Sequence, residues 1–218
     1  MTDGSLAAPR MLTLEQAAAM KTAAERLRGE FTDVFGSETV ELFLYTSHDH
    51  LADHAATVSD LPSLAERLAR QRLRALARVE AKSLEGTPTA LFLCTHNAGR
   101  SQMALGFFQQ LAGDRAIAWS GGSEPGTEIN PAAIAAMAER AIDITQEFPK
   151  PWTDEILRAA DVVITMGCGD ACPVIPGKRY VDWRLDDPAG LGVDAVRPIR
   201  DEIERRVRAL LDEMGVTD

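Results

Sequence analysis

The segment Cys94-Thr95-His96-Asn97-Ala98-Gly99-Arg100-Ser101 sets a thiol six residues ahead of an arginine, with a serine directly after it. It follows the apolar run Ala90-Leu91-Phe92-Leu93 and opens a helical stretch, so it reads as a strand-to-helix loop. Five intervening residues let the backbone wrap until successive amides converge on one point, and the helix N-terminus adds positive potential there. Such a point binds an oxyanion. Arg100 supplies a planar fork for two oxygens of a tetrahedral anion, and Cys94 lies beneath its central atom as an attacking sulfur. The same amides favour a thiolate, to which Ser101 can donate its hydroxyl while Asn97 pins the loop. Thr95, His96, Asn97, Ala98, Gly99, Arg100 and Ser101 are therefore the expected oxyanion-binding residues. A free cysteine ending a strand is more commonly a small buried apolar group. Arg100 has no place in that reading, because an arginine beside a buried cysteine needs an anion to pair with.

Two further segments carry candidate chemistry. Asp186-Asp187-Pro188 offers a carboxyl group that can protonate a departing oxygen, or else an ordinary Asp-Pro turn. Met166-Gly167-Cys168-Gly169-Asp170-Ala171-Cys172 places two thiols four positions apart in a glycine-containing loop, close enough to bridge after modest backbone movement. Redox-active thiols are the preferred reading of Cys168 and Cys172, since a zinc site wants four ligands and the chain offers no such set. His48, His50 and His54 read as a polar helix surface instead of a metal site, so no metal ligand is assigned. Arg67, Arg70, Arg74 and Arg78 fall at helical spacing and read as a solvated face with intrahelical pairs, an acidic partner being the alternative. Trp119 and Trp183 read as core.

These residues need elements to position them. Thr13-Leu14-Glu15-Gln16 is a capping box opening a helix that runs to about Phe31. Ser37 is the expected cap of a second helix, whose apolar stripe is Val40, Leu42, Phe43, Leu44 and Leu51. Ser63-Leu64-Ala65-Glu66 forms a further capping box, starting a third helix to about Lys82. Residues 1–85 thus read as a small three-helix bundle, with 84–88 as a linker to a second domain over 86–218. From residue 89 strand and helix signals alternate: strands over 90–93, 116–120, 161–166 and 179–182, helices over 101–111, 131–141, 153–160 and 195–214. The predicted fold class is α/β, a four-stranded parallel sheet flanked by helices and preceded by the bundle. In a doubly wound sheet the loops at the carboxyl ends of the strands converge on one crevice, where Cys94, Asp187 and the Cys168 loop would meet.

The whole chain sets outer bounds. Its 218 residues carry 23 Lys plus Arg against 33 Asp plus Glu, a net charge of −10. That balance disfavours nucleic acid or an anionic membrane as partner. No apolar stretch approaches the ~20 residues a bilayer span needs. The first ten residues lack the layout of a signal peptide, so a cytoplasmic protein is expected. Three cysteines are an odd count for a disulfide framework, and a homo-oligomer is compatible with all of this.

With these segments in hand, residues 89–218 resemble the low-molecular-weight phosphotyrosine phosphatase fold, and specifically its bacterial thiol-dependent arsenate reductase branch. The resemblance is carried by residues 91–104, by Val163-Ile164-Thr165-Met166-Gly167-Cys168, and by Asp182-Trp183-Arg184-Leu185-Asp186-Asp187-Pro188-Ala189-Gly190. It implies Cys94 as nucleophile, Arg100 and the loop amides as oxyanion binders, Asp187 over Asp186 as the acid, and Cys168 with Cys172 as a disulfide relay. It further implies arsenate as substrate, with phosphate or sulfate as mimics, and no bound cofactor. The thiol reductant would be thioredoxin, with mycothiol and mycoredoxin as the alternative. Two positions depart from the relatives' pattern: Ala189-Gly190 follows the Asp-Pro where phosphatases usually carry tyrosine, and Leu105 stands where some reductases carry a potassium-holding glutamate. The amino-terminal bundle and the short relay spacing resemble the actinobacterial-type members. A tyrosine phosphatase needs only Cys94, Arg100 and Asp187 and is the runner-up, and an oxyanion-sensing binding module is the reading from outside the enzymes.

Overall fold

The protein is described by a computed structural model over residues 12–53, 60–80, 86–167 and 174–216. Helix α1, Leu14–Glu30, begins with the expected capping box. The Gln16 amide donates to Thr13 Oγ1 at 3.1 Å and the Thr13 amide to Gln16 Oε1 at 3.0 Å. Helix α2, Ser37–Ala52, is capped by Gly36, so Ser37 is its first helical residue and not its cap. The capping box expected at Ser63 does not form. Helix α3, Leu61–Val79, starts two residues before it, with Pro62 in the first turn, where a missing N–H and a fixed φ are no handicap. Glu66 is instead drawn sideways to Arg26 and Arg70. The helix ends at Val79 with Glu80 as its cap, and Lys82, its expected end, lies outside the described residues together with Leu84 and Glu85 of the expected linker.

Strands β1 (Thr89–Cys94), β2 (Ile117–Gly122), β3 (Val162–Met166) and β4 (Arg179–Asp182) form one parallel sheet in the order β2-β1-β3-β4. Helices α4 (Arg100–Ala112), α5 (Pro131–Ala138), α6 (Asp154–Ala159) and α7 (Val193–Glu213) connect and cover it. This is the predicted α/β class with three helices ahead of it. The strand order reverses between β1 and β3, and Cys94 is in register with Gly122 on one side and Met166 on the other. The carboxyl ends of β1 and β3 are therefore the switch point at which open parallel sheets bind ligands.

One face of the sheet packs on α4, α5 and α7 through Phe92, Phe108, Met137, Ile164, Trp183 and Ile203. Phe92 is wholly buried and meets the rings of Phe108 and Trp183 at 5.7 Å and 5.9 Å. Trp119, with Leu91, Leu93 and Val163, fills the other face beneath α6. Both tryptophans are thus core, as expected. Ala75 of α3 belongs to this second face, while Phe148, from the segment between α5 and α6, sits in the core of the three-helix bundle. Each core holds a residue from the other part of the chain.

Polar contacts reinforce that exchange. Arg72 of α3, nearly buried, pairs with Glu155 of α6 and also donates to Thr46 Oγ1 at 2.8 Å and Ser47 Oγ at 3.0 Å. The arginine stripe is only in part the solvated face expected of it: Arg74 is exposed and Arg70 makes an intrahelical pair with Glu66, but the stripe also reaches other elements. Arg78 Nη2 donates to Asp161 at 2.9 Å, Arg67 Nη1 to the Gln146 carbonyl at 2.6 Å, and Arg70 and Arg74 both reach Glu30 of α1. The stripe holds α3 against its own neighbours, because α3 runs between α1 and the sheet. His48 is buried and His50 half-buried, against the expected polar surface, and His54 lies outside the described residues. Burial pushes the His50 imidazole down, with the Arg72 charge adding to the effect. Among the described residues no helix is long and apolar enough to cross a membrane.

Candidate active site

The Cys94 loop is built by its carbonyls. Those of Thr95, His96 and Ala98 accept from the amides of Glu124 (2.9 Å), Gly126 (2.9 Å) and Asn130 (2.9 Å), all in the segment after β2. The Asn97 carbonyl accepts from Gln102 Nε2 at 3.0 Å. A trans peptide points its C=O and N–H in opposite directions, so carbonyls drawn outward turn the loop's amides toward its concave side. Asn97 takes a left-handed φ of 48°, which asparagine tolerates better than other side-chain-bearing residues. Gly99 caps α4, and a Cβ there would lie 2.7 Å from Pro188 Cγ, so the loop and the Asp187 segment touch through its missing side chain. Gly167, at φ 78°, lets Arg100 pass: a Cβ there would lie 2.8 Å from Nη1. Thr95 Oγ1 ties the loop to the end of β3 by donating to the Gly167 carbonyl at 3.0 Å.

At the floor of the loop Cys94 Sγ lies 2.9 Å from Ser101 Oγ, with Cys94 buried. Asn97 leaves Ser101 free to act as the donor to a Cys94 thiolate. Its Oδ1 accepts from the Lys150 amide at 3.0 Å and from Gln102 Nε2 at 3.0 Å. Its Nδ2 is thereby turned to donate to Ser101 Oγ at 2.9 Å. A hydroxyl that accepts there keeps its own proton for the sulfur. Lys150 is completely buried, its Nζ 3.3 Å from Glu147 Oε2, 3.2 Å from the Phe148 carbonyl and 4.6 Å from the Phe148 ring centroid. Burial holds its ammonium below the usual lysine range, against the pull of Glu147.

Arg100 and Asp187 are brought together: Nη2 donates to Asp187 Oδ2 at 2.7 Å. The guanidinium is nearly buried and the carboxylate half-exposed at 52%. Asp187 Oδ1 accepts from the Ala189 amide at 3.0 Å, closing a turn over Pro188. That turn is held from below by Asn130 Nδ2, which donates to the Pro188 carbonyl at 3.0 Å, and Asn130 Oδ1 caps α5 at the same time. Trp183 anchors the start of the segment through its amide to the Thr165 carbonyl at 2.8 Å. Cys168 and Cys172 lie outside the described residues, which resume at Val174.

Gln102, Lys150 and Asn130 went unassigned in the sequence. Asn130-Pro131 carries an N-cap signal that accounts for α5 but not for the grip on Pro188. Nothing marks Lys150, flanked by Pro149 and Pro151, as a lysine that folding encloses. A cleft of about 770 Å³ lies elsewhere, between α3 and residues 127–149, lined in part by Arg67, Thr127, Glu147 and Phe148. Among the described residues no cluster of three or more His, Cys, Asp or Glu side chains could hold a metal ion.

A thiol and an arginine on a loop of this kind, at the switch point of a four-stranded parallel sheet, define a class. The family model for low molecular weight phosphotyrosine protein phosphatase matches residues 89–217, and the chain belongs to that family. A second family, protein-tyrosine-phosphatase-like N-terminal domain, matches residues 20–77. Among solved structures, the chain is similar to the thioredoxin-dependent arsenate reductase Cg_ArsC1′ of Corynebacterium glutamicum, with 39% identity and a TM-score of 0.82 over 93% of this chain and all of that one. Arsenate reductase 2 of Staphylococcus saprophyticus is 39% identical over 128 residues, 57% of this chain and 96% of its own length. The arsenate reductase of Halalkalibacterium halodurans is 40% identical over 131 residues, 56% of this chain and 93% of its own.

Proposed function

We propose that the chain is an arsenate reductase acting in the cytoplasm, with thioredoxin as its reductant. The observation that carries this reading is the Cys94 loop itself, in which the sulfur lies 2.9 Å from the Ser101 hydroxyl, the loop carbonyls are drawn outward, and Arg100 at the start of α4 is paired with Asp187. Similarity along the full length of the Corynebacterium reductase supports it. Arsenate enters as a tetrahedral dianion, displaces Asp187 from Arg100 and takes the guanidinium fork and loop amides. Phosphate or sulfate would occupy the same cradle as mimics.

The Cys94 thiolate attacks arsenic, a sulfur–arsenic bond forms, and the departing oxygen leaves as water after taking a proton from Asp187. Cys168 then attacks the Cys94 sulfur. The sulfur–sulfur bond forms, the sulfur–arsenic pair stays on arsenic, and As(V) becomes As(III) as two thiols are oxidised. Cys172 attacks Cys168 in turn, freeing Cys94 and leaving a Cys168–Cys172 disulfide for the dithiol of thioredoxin. Three thiols suffice for this sequence, and the chain has three.

A coupled assay with arsenate, thioredoxin, thioredoxin reductase and NADPH tests the reading. Arsenate-dependent NADPH oxidation is expected in the wild type and none in Cys94→Ser. Turnover only with mycothiol and mycoredoxin would change the reductant. Hydrolysis of p-nitrophenyl phosphate without arsenite formation would replace the reductase by a phosphatase.

A further inference from the structure

The amino-terminal bundle contributes no residue to the Cys94 loop, yet residues 146–150 belong to both. The Phe148 side chain is buried in the bundle core beside residues such as Met20 and Leu68. Arg67 of α3 lies over its ring at 4.7 Å, and the same guanidinium holds the Gln146 carbonyl at 2.6 Å. The backbone of this segment faces the other way. The Phe148 carbonyl accepts from Gln102 Nε2 at 3.2 Å, and the Lys150 amide donates to Asn97 Oδ1 at 3.0 Å. From there the path runs through Asn97 Nδ2 to Ser101 Oγ and on to the Cys94 sulfur. No bond in it is longer than 3.2 Å.

The path has a direction. An amide side chain can present its oxygen or its nitrogen to Ser101, and the two choices have opposite consequences. With the nitrogen there, Ser101 accepts and its proton goes to sulfur. With the oxygen there, Ser101 would donate to Asn97 and leave the sulfur without that proton. The Lys150 amide, which can only donate, selects the first arrangement, provided residues 146–150 stay where the bundle holds them.

We propose that the amino-terminal bundle acts as a clamp on residues 146–150 that fixes the Asn97 amide and so keeps the Ser101 proton on Cys94, making Phe148 a positioning residue for the thiol chemistry. The proposal rests on Cys94 being the nucleophile, but its test needs no arsenate. In a full-length Cys168→Ser/Cys172→Ser background Cys94 is the remaining thiol, and its alkylation by iodoacetamide reports how much thiolate is present.

Phe148→Ala should slow alkylation at a fixed, mildly acidic pH by about tenfold, the scale of one hydrogen bond to a charged group. The pH profile should move upward while the limiting alkaline rate is kept, and Phe148→Leu should restore most of the loss. Val40→Ala, which cuts core volume from the bundle but none from residues 146–150, should lower the melting temperature and leave alkylation at the wild-type rate. If Phe148→Ala does not fold, Arg67→Ala releases the Gln146 carbonyl without opening the core and should move alkylation in the same direction. Wild-type alkylation in Phe148→Ala, or in Arg67→Ala where that variant replaces it, would overturn the clamp. An equal effect of Val40→Ala would also overturn it. Failure of the wild type to reduce arsenate, with these shifts present, would count against the proposed activity and not against the clamp.

Discussion

Arg100 is occupied before any substrate arrives. Its Nη2 holds Asp187 at 2.7 Å, so under the proposed function the carboxylate occupies the place of an arsenate oxygen and must yield to it. In the proposed mechanism one side chain is both the competitor for the guanidinium and the proton donor to the leaving oxygen. Asp187→Asn removes both at nearly constant shape. The expected outcome in the coupled assay is a kcat lower by about 10²- to 10⁴-fold, the usual contribution of a general acid, together with a lower KM for arsenate. A raised KM at unchanged kcat would mean that Asp187 organises the site without transferring a proton. At this scale the sequence was informative wherever chemistry fixes spacing. Cys94, Arg100 and Ser101 are read from the loop because five residues are what an amide cradle needs. Lys150 and Gln102 were not legible, since each works through a main-chain group and a partner distant in sequence: the Lys150 amide reaches the Asn97 side chain 53 residues away, and the Gln102 side chain the Phe148 carbonyl 46 residues away.

At the scale of elements, α5 and α7 are locked by a carboxylate between two arginines. Glu139, just past the end of α5, accepts from Arg197 Nη2 at 2.6 Å and Arg200 Nη1 at 2.7 Å. The hydrogen bonds from Arg197 and then Arg200 hold its carboxyl down at about 2, against an ordinary 4.5. A folded-state value below the unfolded one means that the ionised form favours folding. This contribution is therefore fully present above about 4.5 and lost as pH falls toward about 2. Glu139→Gln should be less stable than wild type at neutral pH and converge with it in strong acid, as measured by urea unfolding across that range. Parallel curves at all pH would show that the charge of Glu139 is not what joins the helices.

Helices and strands themselves were largely legible. The apolar runs over 90–93 in β1 and 162–164 in β3 mark strands covered on both faces, and the Thr13 box opens α1 as written. Capping signals at Ser37 and Ser63 misled by one and three residues, because Gly36 and Asp60, ahead of the Pro62 turn, take the cap positions. The arginines of α3 misled more, since periodicity gives a face but not what lies against it.

For the molecule as a whole, the bundle and the sheet are joined by exchange. Ala75 enters the sheet core, Phe148 enters the bundle core, and Arg72–Glu155 closes the seam between α3 and α6. Neither alanine nor phenylalanine advertises such a crossing in sequence, which is why the role of the bundle had to come from packing. The relay proposed for Cys94, Cys168 and Cys172 is open to a direct single-turnover test. Reduced protein is mixed with excess arsenate in the absence of any reductant, quenched, and analysed for arsenite and, by mass spectrometry, for disulfides. The account predicts a single equivalent of arsenite per chain with a Cys168–Cys172 disulfide and a free Cys94, and in Cys172→Ser the same arsenite with a Cys94–Cys168 disulfide. Arsenite formed with all thiols still reduced, or no arsenite at all, would contradict it.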